Sequence, residues 1–143
     1  MKKLLCSACL LGMPCRYDGK SKPIKDIELL KEKFQLFPIC PEVAGGLATP
    51  RLPCEIRKDR VIRKDRKDMT DAYRLGAEKA LQLAKDNGIT LALLKEKSPS
   101  CGVHFRYDGS FQGVLIKDSG ITCTLLKENG ITVFSENDLK NLL

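Results

Sequence analysis

Aromatic residues make up only 6% of this 143-residue chain, tryptophan is absent, and histidine occurs once, at His104. So few aromatics argue against a surface that holds single-stranded nucleic acid by base stacking. With one histidine, any metal site would have to draw mainly on cysteine. No apolar run approaches the length of a membrane-spanning helix, so no membrane partner is expected. The N-terminus, MKKLLCSACLLG, has a charged start and a short apolar run, as a signal peptide would. It lacks a clear small-residue cleavage site, and Pro14 and Arg16-Tyr17-Asp18-Gly19 follow at once. A first β-strand and a cytoplasmic protein are the expectation. Paired zinc knuckles are also missing, because only Cys6-Ser-Ala-Cys9 has Cys-x-x-Cys spacing. That motif runs into a turn rather than opening a helix, unlike a thioredoxin-type redox site.

What is present points to a globular protein. Hydrophobic residues reach 43%, which leaves disorder without support, and the length suits one domain over residues 1–143. The net charge is +7, with much of the excess in RKDRVIRKDRK, Arg57–Lys67. A charge run of this kind reads first as a solvated ribbon whose aspartates partly offset its cations, and secondarily as a nucleic-acid contact. A nucleic acid, tRNA in particular, is therefore kept as a lesser possibility for a partner.

Short apolar runs alternate with helical periodicity. Strands are predicted at Lys3–Ser7, Leu36–Cys40, Thr90–Leu94 and Ile131–Phe134. Helices are predicted around Lys25–Phe34, Thr70–Asn87 and Gly120–Glu128, with a short C-terminal helix capped by Ser135 or Asn137. Leu75, Ala80, Leu83 and Ala84 would line the apolar face of the long helix, with Asp68 or Thr70 as its N-cap and Gly88 beyond its end. A β-ribbon is expected over Glu55–Arg63 and a hairpin through HFRYDGSFQGVL. The pattern implies an α/β fold: a small, doubly wound, Rossmann-like parallel sheet in three layers, with a β-ribbon insertion.

Seven cysteines are too many to pass over, and a reducing compartment speaks against a disulfide framework. Cys123 reads as a buried apolar position of a helix, and Cys6 as either core or ligand. Cys9, Cys40 and Cys101 differ, because each follows one of the first three predicted strands. In a doubly wound sheet, that puts all three at the carboxyl edge, where such folds bind ligands. Three thiolates could hold zinc, with His104 as a fourth ligand in a non-catalytic module. They could also hold an iron–sulfur cubane with one iron left open, a Lewis acid. Pro41 and Pro99 stiffen the loops, and Gly45, Gly46 and Gly102 would let backbone approach a bulky group. Glu42, Ser98 and Ser100 offer a carboxylate and hydroxyls for moving protons. Arg16, Tyr17 and Arg106, from the repeated Arg-Tyr-Asp-Gly turns, could hold an anionic substrate.

Three blocks, CLLGMPCRYDG, CPEVAGGLATPR and KSPSCG, resemble the signature segments of the DUF523 family, whose characterised members include thiouracil desulfidases. The resemblance spans essentially the whole chain. It implies an α/β fold and a 4Fe–4S cluster held by Cys9, Cys40 and Cys101, with one iron open to the substrate sulfur. It further implies non-redox replacement of a thiocarbonyl sulfur by oxygen from water, in a substrate such as 2-thiouracil. Glu42 and one of Ser98 and Ser100 would form the proton-handling pair, while Cys15 and Cys54 would be secondary. A small thiolated base or nucleoside is the expected substrate, with related thioamides as possible variants. The resemblance says nothing about oligomeric state.

Overall fold

A computed structural model describes all residues, Met1–Leu143. Four parallel strands form the central sheet: β1 Lys2–Ser7, β2 Phe34–Ile39, β5 Leu91–Leu94 and β8 Thr132–Ser135, in the order β2-β1-β5-β8. The chain winds outward in one direction from β1 to β2 and in the other from β1 through β5 to β8. The reversal between β1 and β5 is the topological switch point at which doubly wound sheets open a crevice.

Alternation along the strands divides the core into two layers. Leu5, Ala92 and Leu94 face α3 (Thr70–Asn87) and α4 (Ile121–Glu128), meeting Ala80, Ala84, Cys123 and Leu126. Leu4, Cys6 and Leu93 face the other way, toward Leu10 and Leu30, the latter on α1 (Ile27–Lys33). Leu139 and Leu142 of α5 (Leu139–Leu142) close that layer. The three-layer expectation therefore holds, with Cys6 and Cys123 fully buried in opposite layers. Burial pushes the Cys6 thiol up to about 12, so it behaves as a small apolar side chain.

Helix α3 spans the predicted residues, but its buried face is not the predicted one. Tyr73, Gly76, Ala77, Ala80 and Ala84 are buried, whereas Leu75 is exposed. Small residues dominate this stripe because α3 packs closely against both α4 and the short α2 (Pro41–Ala44). Met69 occupies the N-cap and makes no side-chain cap bond. Asp68 works one residue further out, its Oδ1 accepting the Thr70 N–H at 2.9 Å. Thr70 is buried instead, and its Oγ1 accepts the Val61 N–H at 2.9 Å. Gly88 ends the helix in the left-handed region, as expected.

Two antiparallel hairpins are inserted between the parallel strands. The first pairs β3 (Cys54–Arg57) with β4 (Arg60–Arg63). Along this ribbon Arg60 pairs with Asp68 at 2.8 Å and Arg63 with Asp65 at 2.6 Å, so part of its charge is neutralised locally. The second pairs β6 (Phe105–Tyr107) with β7 (Leu115–Lys117). Ser135 supplies the capping box after β8, accepting from the Asn137 N–H. No helix is long and apolar enough to cross a membrane.

Candidate active site

A cavity of about 410 Å³ opens beyond the carboxyl ends of β1, β2 and β5. Five of the seven cysteines line it: Cys9, Cys15, Cys40, Cys54 and Cys101. Cys9 lies on the 3-10 turn Ala8–Leu11 directly after β1. Cys40 is the N-cap of α2 directly after β2. Cys101 sits in the turn that follows β5.

The turn that carries Cys101 is clasped from two sides. Glu96, 3% exposed, extends Oε1 to the backbone N–H groups of Val103, His104 and Phe105 at 2.8, 2.9 and 3.0 Å, and to that of Lys97 at 3.3 Å. Burial opposes ionisation of this carboxyl, but the backbone donors prevail and hold it below the usual carboxylate range. On the other side, the N-terminal amides of α4 donate to the Pro99 and Ser100 carbonyls, both at 2.9 Å. Gly102 has no room for a side chain, since a Cβ there would lie 2.6 Å from the Phe105 oxygen and 2.8 Å from the Ser98 oxygen. The close approach anticipated at Gly102 is therefore made by the chain's own backbone. Gly45 is the same case, its missing Cβ making way for the Ala72 carbonyl of α3.

Cys15 emerges as more central than its sequence context indicated. Its thiol lies within hydrogen-bonding reach of both the Cys9 and Cys40 thiols. Its carbonyl accepts from Arg51 Nη2 at 3.0 Å and faces the Cys40 Sγ at 3.6 Å. The neighbouring Cys15 thiol and burial together push the Cys40 thiol up, and burial does the same to Cys101. Thiolates in this cavity would be costly without a compensating cation, which is the environment a metal cluster satisfies. No three Cys, His, Asp or Glu side chains are close enough to hold a single metal ion. The donor set therefore fits a multi-atom cluster spread across the cavity better than one zinc ion. His104 does not help a zinc site, because it lies outside the cavity with Nε2 2.7 Å from Asp138 Oδ2.

Glu42, on the first turn of α2, faces the thiols. Its Oε1 accepts from Tyr73 Oη at 2.7 Å and from Arg51 Nε at 3.2 Å. Its Oε2 receives only the Ser98 hydroxyl, at a long 3.4 Å. The Ser98 Oγ in turn accepts the N–H groups of Ser100 and Cys101, both at 3.1 Å. Ser100 points elsewhere: its hydroxyl is buried 2.7 Å from Thr122 Oγ1, and it does not line the cavity. Arg51 and Tyr73 were not singled out in the sequence. Arg51 ends the CPEVAGGLATPR block, while nothing local marked Tyr73, which reaches the site from the middle of a packed helix.

Arg16 and Tyr17 line the cavity, whereas Arg106 does not. Successive residues of a strand face opposite sides, so in β6 it is Tyr107 that reaches the cavity. Arg106 turns away, with Nη2 2.8 Å from Asp118 Oδ2.

Residues 4–138 match the sequence pattern of the family described as 2-thiouracil desulfurase. The chain belongs to that family. It is 39% identical over 150 residues to the uncharacterized protein YbbK of Bacillus subtilis (strain 168), covering 98% of this chain and 99% of the relative. Among solved structures it resembles TudS, a 4Fe–4S-dependent thiouracil desulfidase. The TM-score is 0.95 at 46% identity, over 99% of this chain and 95% of that one. Membership in the 2-thiouracil desulfurase family draws attention to the support beneath Glu42. Burial pushes the Tyr73 hydroxyl up, so it stays a proton donor to the carboxylate at any working pH. Tyr73→Phe removes that charge-assisted bond, and urea denaturation is expected to show a loss of roughly 1.5–3 kcal/mol. A loss below about 0.5 kcal/mol, the usual scale for a surface change, would mean that the bond contributes little.

Proposed function

We propose that this chain is an iron–sulfur-dependent desulfidase that replaces the sulfur of a thiolated pyrimidine such as 2-thiouracil with oxygen from water. The observation that carries the reading is the meeting of thiols from three strand ends with the Glu42–Ser98 pair in one cavity. By this reading Cys9, Cys40 and Cys101 hold a 4Fe–4S cluster, and Cys15 packs beside them. When bound, the cluster supplies an open iron whose Lewis acidity and softness suit a thiocarbonyl sulfur.

The chain's own groups do the rest. Glu42 Oε1 is occupied by Tyr73 and Arg51, which fix the carboxylate plane. Oε2 keeps lone-pair capacity and is the atom that takes a proton from the attacking water. The Ser98 hydroxyl stands beside Oε2 and can pass that proton toward the departing sulfur. This is why Ser98, rather than the buried and paired Ser100, is assigned the second role. Arg16 and the half-exposed Tyr17 ring border the space for the pyrimidine. The balance is C=S plus water to C=O plus hydrogen sulfide, with no electron left over.

The test is anaerobic reconstitution followed by assay of 2-thiouracil. Close to four iron and four acid-labile sulfide per chain are expected, with uracil and sulfide released in equal amounts. Zinc bound without iron or labile sulfide would sink the proposal. So would a fully loaded cluster that leaves every thiolated pyrimidine untouched.

A further inference from the structure

Four cationic side chains border the cavity: Arg16, Arg51, Lys95 and Lys97. Three of them already have anionic partners. Arg16 lies 3.4 Å from Asp18, Arg51 3.2 Å from Glu42, and Lys95 2.9 Å from Glu136. Lys97 has no ion pair, and its only hydrogen bond to a side chain is made by its backbone N–H. It is exposed, with its charge uncommitted.

The backbone at this position is unusual as well. Lys97 has φ of 70°, in the left-handed region where a side chain is strained and glycine is not. Lys58, Arg66 and Phe111 share a positive φ, but none of these lines the cavity. The strained peptide is held in place by Glu96, whose Oε1 receives the Lys97 N–H. A lysine where glycine would fold more easily, at the rim of a ligand cavity and with a free charge, points to a job for its ammonium.

We propose that Lys97 is a substrate-binding residue whose ammonium meets negative charge on the ligand, so that the site takes the thiolated pyrimidine as its ring anion. This rests on the desulfidase reading. The ring N–H beside a thiocarbonyl is acidic, and its loss spreads negative charge over nitrogen, sulfur and oxygen. A fixed cation in a partly dry cavity discriminates for that form more strongly than it would in water. Arg16, Arg51 and Lys95 cannot do this without giving up the carboxylates they already hold.

The experiment uses reconstituted enzyme with two substrates: 2-thiouracil, and 1,3-dimethyl-2-thiouracil, which cannot form a ring anion. For 2-thiouracil, Lys97→Met is expected to raise KM about tenfold with kcat within about twofold, and Lys97→Arg to recover most of the loss. Wild-type KM should fall as pH rises through the ionisation of the base, and Lys97→Met should flatten that dependence. On the dimethyl compound the two proteins should bind alike. An unchanged KM in Lys97→Met overturns the proposal, as does an equal rise on both substrates, which would mean lost packing rather than lost charge. Lys97→Gly adds a readout independent of turnover. Its melting temperature should equal or exceed wild type as the backbone strain is relieved, while its KM for 2-thiouracil rises. A melt several degrees lower would assign the lysine to the fold and overturn the proposal. Wild-type enzyme that carries its cluster yet releases no sulfide from 2-thiouracil would instead remove the desulfidase reading itself.

Discussion

Replacing Glu42 with glutamine is expected to lower kcat on 2-thiouracil by about 10²–10⁴-fold, the usual worth of a positioned proton acceptor. The substitution is informative because glutamine can keep the local geometry. Its Oε1 can still accept from Tyr73 and Arg51, and its amide nitrogen can donate to the Ser98 oxygen where Oε2 stood. What disappears is the lone pair on Oε2 that receives the proton of water. Cluster content and KM should therefore stay near wild type while kcat collapses. A variant that loses iron in parallel with activity would show that Glu42 supports the cluster loop rather than the chemistry. A variant with kcat within about threefold of wild type would remove Glu42 from proton transfer, leaving Ser98 or bulk water to supply it. Arg51 keeps its bonds to the Cys15, Ala48 and Thr49 oxygens in either case, so the loop Gly45–Arg51 should not unfold.

How far this site could be read in advance follows from the range over which each signal acts. The strand–helix alternation is local, so the parallel sheet and the limits of α3 were legible in the hydrophobic spacing alone. The gathering of Cys9, Cys40 and Cys101 was legible for a topological reason: each follows a parallel strand, and parallel strands end on one edge. Contacts between elements were not legible. Tyr73 meets Glu42 only because α3 lies against α2, a relation that neither segment encodes alone. The repeated Arg-Tyr-Asp-Gly turns misled for the same reason. Arg16 sits in an irregular loop and reaches the cavity, whereas Arg106 is bound by strand alternation to face away. Leu75 was assigned to the core by its hydrophobicity, but close helix packing selected the small residues around it, Gly76 and Ala77, instead. Glycines that seemed reserved for a bulky ligand are occupied by backbone.

That helix contact carries the second large prediction. Gly76→Ala should destabilise the protein and disable it, although glycine to alanine inside a helix ordinarily gains about 1 kcal/mol. A Cβ at position 76 would collide with the Pro41 carbonyl oxygen and lie 2.7 Å from its carbon. The obstacle is rigid main chain rather than a side chain that could swing away, and from the other side Gly45 presses on the Ala72 carbonyl. Helix α2 must therefore move as a unit. Overpacking of this kind costs roughly 1–3 kcal/mol, enough to reverse the propensity gain. Activity should suffer more than stability does, because α2 carries Glu42 and its N-cap is Cys40. A displacement of about 1 Å there separates Oε2 from Ser98 and shifts one thiol relative to the other two, and misplacement on that scale costs about 10²-fold. Thermal melting, iron content and kcat on 2-thiouracil should all fall at Gly76→Ala. Ala80→Gly, one turn further along the same buried stripe, should cost stability through propensity and a small void while sparing most of kcat. Equal loss of kcat at both positions would mean that general loosening of α3, rather than displacement of α2, is what the site responds to.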